Sequence, residues 1–104
     1  ITDGQNHRLQ LCPGAGAACT TIAGTGTQGG GNAQLNQPSL GLELAISTRT
    51  YAIADYSNSR VQLCAGAGIE CSTIAGTGSM ASGDTGLNHP HGVAITADGK
   101  YAIA

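Results

Sequence analysis

Short apolar runs separated by turn residues are the dominant pattern along the chain. In the middle of the sequence, four runs of four or five residues are apolar or alternating and contain β-branched side chains. They are Leu42–Ile46, Tyr51–Ala54, Arg60–Cys64 and Cys71–Ala75. Runs of this length between regular turn signals are typical of β-strands. No segment of about 11 residues follows the 3.6-residue period of a helix, so the pattern predicts an all-β protein.

The chain also contains an internal duplication. A displacement of 52 residues aligns 1–38 with 53–90, and 21 of these 38 positions are identical. Average composition would give roughly 6–7% identity. After the prolines the alignment shifts by two, and Tyr51–Ala54 then matches Tyr101–Ala104. Each repeat therefore predicts four strands in an antiparallel meander, which is the organisation of one β-propeller blade.

Three motifs relate the repeats to a known family. They are Asp-x-x-Asn-x-Arg at Asp3, Asn6 and Arg8 and again at Asp55, Asn58 and Arg60; Pro-x-Gly-Val-Ala-Ile from Pro90 and Gly92, followed by Asp-Gly-x-Tyr from Asp98 and Gly99; and Thr-Ile-Ala-Gly-Thr-Gly at 21–26 and 73–78. In this order and spacing, over nearly its whole length, the chain resembles the NHL repeats, a family of β-propellers. The resemblance implies blades of four antiparallel strands, with two blades' worth of strands in this chain.

The strands fall into a split blade and a full blade. We expect residues 1–37 to supply strands three and four of the split blade, 38–89 to form the full blade, and 90–104 to supply strands one and two of the split blade. The unit that begins at Pro38 is longer than the pattern, and Thr48-Arg49-Thr50 replaces its Asp-Gly turn. This departure predicts a β-bulge or a lengthened loop in its first strand.

Two blades do not close a ring, which needs about four to eight. A lone pair would expose its outer sheet faces, and neither end of the chain resembles a polar cap. We therefore expect a homo-oligomer with strand-swapped ring closure, in which the N-terminal strands of one chain complete a neighbour's blade. A homotrimer of six blades is favoured because the family resemblance favours six. A dimer, a tetramer and a monomeric fragment of a longer parent are the alternatives.

The Asp-x-x-Asn-x-Arg motif is expected to be structural. The carboxylate of Asp55 follows a strand and can accept turn N–H groups. Asn58 is suited to left-handed backbone and can bond the same turn. Arg60 is expected to donate to a carboxylate or to carbonyls of the neighbouring turn. The alternative is a ligand-binding role, but repetition in each unit favours scaffolding.

The four cysteines form two equally spaced pairs, Cys12 with Cys19 and Cys64 with Cys71. Three pairings are possible, and the repeat favours the two local ones. Each pair flanks a predicted hairpin, where facing Cβ atoms lie about 4.5–5.5 Å apart. Buried thiols and metal binding are the alternatives, although the spacing fits structural zinc poorly. Local disulfides imply an oxidising location, which is extracellular or in the secretory pathway.

His89 and His91 are the candidates for a metal site, although none is expected. They flank Pro90, and in a trimer three copies of His91 would converge and resemble a three-His zinc site. In the other unit Gln37 and Ser39 occupy these positions, which favours polar loop residues. Some relatives of the NHL propellers are metal-dependent lyases or hydrolases, and such an enzyme is an alternative function.

No other residues indicate catalysis. The acidic residues form no close pair in sequence, and no Gly-x-Ser-x-Gly motif is present. We therefore expect no catalytic residues and no cofactor. The predicted function is a non-catalytic propeller module that serves as a scaffold or as a protein- or peptide-binding surface. A fragment whose only activity is folding and assembly is a further alternative.

Charge and hydropathy exclude two classes of partner. The chain has four Lys and Arg residues and a net charge of −2, so nucleic-acid binding is not expected, although NHL relatives include such proteins. No apolar run approaches the roughly 18–20 residues that span a bilayer, so no membrane contact is expected. The composition of Gly29–Gly31 indicates a flexible connector.

Overall fold

The computed structural model describes residues 1–45, 50–66 and 69–104. Within them, nine strands form three antiparallel sheets. The first sheet contains β1 (Thr2–Asp3), β2 (Arg8–Leu11) and β3 (Thr20–Gly24); the middle sheet contains β4 (Pro38–Ala45), β5 (Thr50–Asp55), β6 (Arg60–Cys64) and β7 (Ser72–Gly76); the last sheet contains β8 (Val93–Ile95) and β9 (Tyr101–Ile103). The prediction of an all-β protein is confirmed.

The middle sheet contains the four strands predicted from the apolar runs. β6 matches its run to the residue, whereas β4 begins at Pro38, before the predicted run. Two register shifts interrupt the pairing of β4 with β5, which agrees with the irregularity expected in the unit that departs from the repeat. The predicted end of the first run at Ile46 and the turn residues Thr48 and Arg49 lie outside the described residues.

The two copies of the repeat share their local irregularities. The pairing of β2 with β3 shifts register between Leu9 and Gln10, and that of β6 with β7 shifts between the equivalent Val61 and Gln62. Since a bulge changes the bend and twist of a strand, identical bulges give the first and middle sheets the same local curvature.

A 3₁₀ turn precedes the third strand of each repeat, at Gly4–Asn6 and at Tyr56–Asn58. Each turn ends on a left-handed residue, His7 at φ 51° and Ser59 at φ 49°. The motif asparagine, which tolerates a left-handed backbone, is the last residue of the 3₁₀ turn, and the residue after it adopts the left-handed conformation.

The middle sheet is covered on both faces. Successive side chains of a strand point to opposite faces, so Tyr51 and Ile53 of β5 pack towards the first sheet and Ala52 packs towards the last. On the first side they join a cluster formed with Leu9, Ile22, Ala23, Leu35, Cys64 and Cys71. The described core therefore lies between sheets that stack face to face.

β3 and β7 end on glycines in the left-handed region, Gly24 at φ 82° and Gly76 at φ 81°. A Cβ on Gly76 would collide with the backbone oxygen of Ser59, and one on Gly24 would meet that of His7. Glycine is required here because it alone combines this conformation with so close a backbone contact.

Candidate functional site

A buried arginine joins the strands of the middle sheet. Arg60 and Asp55 are opposite each other in the β5–β6 pairing, and Arg60 Nε donates to Asp55 Oδ2 at 2.8 Å. Asn58 Nδ2 donates to the same oxygen at 2.8 Å. The Arg60 and Asp55 side chains are only 6% and 0% exposed. We call these three residues the middle clasp.

The middle clasp also binds the loop that follows the first sheet, residues 28–35, which we call the first loop. Arg60 Nη1 donates to Gly30 O at 3.0 Å, and Nη2 donates to Gly31 O at 3.0 Å and Gln34 O at 3.2 Å. Asn58 Nδ2 also lies 2.8 Å from Gly29 O. Four backbone carbonyls thus accept hydrogen bonds from the Arg60 and Asn58 side chains. Gly29–Gly31 is not merely the flexible connector expected from its composition, because its carbonyls form part of this contact.

Further hydrogen bonds fix the first loop against the middle sheet. The Cys71 amide donates to Asn32 O at 2.8 Å, and the Asn36 amide donates to Asp55 Oδ1 at 2.6 Å. The loop is closed by its own bond from Gly29 N to Leu35 O at 3.3 Å, and the Leu35 side chain is fully buried. The contact between sheets therefore combines a buried ion pair, backbone bonds and an apolar anchor.

The first sheet carries a second copy of the clasp, formed by Asp3, Asn6 and Arg8. Arg8 Nε donates to Asp3 Oδ2 at 2.9 Å, and Asn6 Nδ2 donates to Asp3 Oδ1 at 3.0 Å. This hydrogen bond from Arg8 is the main cause that holds the pKa of Asp3 below its ordinary value of 3.8. The Arg8 and Asp3 side chains are 34% and 27% exposed. We call this copy the first clasp.

The loop after the middle sheet, residues 80–87, repeats the backbone of the first loop. Its Ala81 amide donates to Leu87 O at 3.1 Å, and its Gly86 amide donates to Gly83 O at 2.9 Å. We call it the second loop. A cavity of about 450 Å³ lies beside it and is lined by Thr73, Ile74, Ala75, Gly76, Asp84, Thr85, Gly86, Leu87 and Ile103.

Apolar side chains on the first and last sheets are exposed where their middle-sheet equivalents are buried. Ile1 is 77% exposed and Tyr101 is 37% exposed, whereas the equivalent Ile53 and Tyr51 are 0% and 8% exposed. Leu11 in β2 is 57% exposed. These positions mark apolar surface at the outer sheets.

Both predicted disulfides are present, Cys12–Cys19 and Cys64–Cys71. They are consistent with an oxidising environment. The second disulfide is buried beneath the first loop, with Cys64 0% and Cys71 4% exposed, whereas Cys19 is exposed.

The two candidate metal ligands both pack on one tyrosine. The ring centroids of His89 and His91 lie 4.6 and 4.8 Å from that of Tyr56. His89 Nδ1 lies 2.8 Å from Asn88 Oδ1. Among the described residues, no group of three or more His, Cys, Asp or Glu side chains is arranged to hold a metal ion.

The remaining motif residues shape the last sheet. Pro90 is buried before β8, and the Gly92 amide donates to Ala104 O at 3.3 Å. Asp98 and Gly99 lie in the connection between β8 and β9, with Gly99 at φ 80°. These residues are placed in turns and strand ends, away from the two clasps.

In the described ranges, no helix has the length and apolar character needed to cross a bilayer. Comparison with known proteins found no matching family model, no matching curated protein and no matching solved structure.

Proposed function

We propose that the chain is a non-catalytic β-propeller module that assembles with copies of itself into a closed ring and serves as a scaffold or as a protein- or peptide-binding surface. One observation carries the proposal. The four-stranded middle sheet packs against the first sheet on one face and the last sheet on the other, whereas the first and last sheets resemble complementary parts of it and expose apolar residues whose equivalents in β5 are buried.

Strand exchange between copies would pair the open edge of the first sheet with the open edge of the last sheet. In the middle sheet Tyr51 lies opposite Cys64, so the same register would place Tyr101 of β9 opposite Cys12 of a second copy. Among the described residues, β9 pairs only with β8. Joining the two edges would pair backbone groups beyond Gln10, whose amide and carbonyl already bond Ile1. It would also cover Leu11 and remove edges that otherwise invite uncontrolled pairing.

The resemblance to NHL repeats favours six blades, which corresponds to three copies. Two copies would give four blades and four copies would give eight, within the range known for propellers. The disulfides suit an assembly that works outside the cell or in the secretory pathway. Both histidine rings pack on Tyr56, which favours the interpretation of polar loop residues over the alternative of a metal-dependent enzyme.

Native mass spectrometry and light scattering over a range of concentrations test the proposal. We expect a closed species of defined size, with three times the 10.2 kDa mass of one chain as the favoured result. Masses of two or four chains would keep the ring and change the blade number. A single-chain mass at about 100 μM, with both disulfides intact, would overturn self-assembly.

A further inference from the structure

The second loop preserves the shape of the first loop through a compensating exchange of residues. In the first loop, a Cβ on Gly29 would collide with the side chain of Gln34. In the second loop, Ala81 is equivalent to Gly29 and Gly86 is equivalent to Gln34, so the glycine has changed sides. A Cβ on Gly86 would collide with Ala81. Since each loop has one side chain and one glycine at these facing positions, both keep the same closing hydrogen bonds.

The second loop presents acceptors that the described chain does not use. In the first loop, the equivalent carbonyls bind Arg60 and Asn58. No group in the described ranges donates to the carbonyl oxygens of Ala81, Ser82 or Gly86. Of these residues, Gly86 lines the cavity, together with residues of β7 and Ile103 of β9.

The first clasp supplies matching donors. Arg8 uses Nε for Asp3, and within the described residues its two Nη groups donate to nothing. Its local geometry is that of Arg60, with Nε–Oδ2 distances of 2.9 and 2.8 Å. In addition, Asp84 replaces the Asn32 of the first loop, so a carboxylate lies on the loop that would receive a guanidinium.

We propose that the first clasp of one copy binds the second loop of the next. Arg8 Nη1 donates to Ser82 O, and Nη2 donates to Gly83 O and Gly86 O. Asn6 Nδ2 donates to Ala81 O, as Asn58 does to Gly29 O, and the Cys19 amide donates to Asp84 O. This inference rests on the proposed ring, and it names the residues that join its subunits.

Arginine variants test the donor side by sedimentation and native mass spectrometry. We expect Arg8→Ala to weaken association at least ten-fold. Arg8→Lys should weaken it nearly as much, because an ammonium group does not fork over three carbonyls. Lys100→Ala removes one positive charge from an exposed side chain and should leave association unchanged. Circular dichroism and the mass of the oxidised chain establish that each variant is folded.

Glycine variants test the acceptor side. Gly86→Ala introduces a Cβ that collides with Ala81, whereas a Cβ on Gly14 has no atom within 4 Å. Gly86→Ala should therefore weaken association by a factor similar to Arg8→Ala, and Gly14→Ala, outside the proposed contact, should not. The double variant with Arg8→Ala should lose little more than either single variant, because both changes remove the same contact.

Hydrogen exchange separates the two proposals. In the assembled wild type, the Cys19 amide should be protected as the Cys71 amide is, and Arg8→Ala should lower the protection of Cys19 while leaving that of Cys71 unchanged. A wild-type chain that stays monomeric overturns the proposed ring. A wild type that assembles while Arg8→Ala associates equally well, or while Cys19 exchanges freely, overturns the clasp and leaves the ring in place.

Discussion

The first and middle clasps have the same residues and nearly the same bond between arginine and aspartate but different surroundings. The Arg–Asp distance is 2.9 Å in the first clasp and 2.8 Å in the middle clasp. The Arg60 and Asp55 side chains are nearly inaccessible, while those of Arg8 and Asp3 are about one-third exposed. The difference arises from one contact, because within the described ranges only the middle clasp has a loop of the preceding sheet packed over it.

This difference separates two contributions to the stability of a repeat protein, one from within each repeat and one from the contact between repeats. Local hydrogen bonds within one hairpin form the clasp, and contacts with the neighbouring repeat bury it. Interface terms of this kind contribute much of the stability of repeat arrays. The same side chains should therefore matter greatly in the middle sheet and little in the first sheet of a single chain.

Removing the arginine of the middle clasp should have the largest effect. Arg60→Ala leaves the Asp55 carboxylate buried without its cation, which we expect to lower the free energy of unfolding by about 3–5 kcal/mol. Urea unfolding followed by circular dichroism, at a concentration where the chain is monomeric, measures this loss. Arg8→Ala is the matched control and should change little, because exposed ion pairs contribute weakly. Equal losses in the two variants would contradict the comparison.

A methyl group at the end of β7 should have the next largest effect. Gly76→Ala combines a left-handed backbone with a collision at Ser59 O, and should lower the free energy of unfolding by about 2–3 kcal/mol. Gly78 has a similar φ of 84° but open space around it. Gly78→Ala should therefore lose only about 1 kcal/mol. If both variants lost the same amount, the close approach of strand and turn would not contribute to stability.

The two disulfides should differ in their rates of reduction. Cys12–Cys19 should react at least about ten-fold faster than Cys64–Cys71, because an attacking thiolate needs access to a sulfur atom. Timed alkylation and mass spectrometry of the monomer measure both rates. In an assembled ring the two reduction rates should become more similar, because a neighbouring copy covers Cys19. Equal rates in the monomer would show that the first loop does not shield the second disulfide.

The acid titration of the first clasp should show the smallest effect. Because the pKa of Asp3 is lowered in the folded chain, its stabilising contribution is complete above the ordinary value of 3.8 and is lost as the pH falls through the folded value. In Arg8→Ala, the pKa of Asp3 should rise towards 3.8, as measured by NMR of its carboxyl carbon. An unchanged titration would mean that Arg8 does not stabilise the carboxylate.

Much of the local structure was predictable because it depends on short stretches of sequence. β6 matched its apolar run, both disulfides followed from the spacing of the cysteines in each repeat, and the pairing of the altered unit after Pro38 is irregular as expected. The left-handed residues His7 and Ser59 were not predicted. A His or Ser at this position gives little signal, because the backbone bond that closes the 3₁₀ turn fixes the conformation.

The binding role of the first and second loops was missed for a different reason. Gly29–Gly31 acts through backbone carbonyls, and the identity of side chains says little about where carbonyls point. The exchange of Gly29 and Gln34 for Ala81 and Gly86 was visible in the alignment of the repeats. Its meaning depends on the two positions facing each other across the loop, which the sequence does not show.

The sequence by itself determined the strands, the repeated clasp and the cysteine pairs, because each arises from neighbours along the chain or within one hairpin. Only the tertiary structure decided which clasp is buried, which disulfide is shielded and which carbonyls receive an arginine. Burial depends on the sheet that lies above each group, and identical sequence copies differ physically once they occupy different places in the stack.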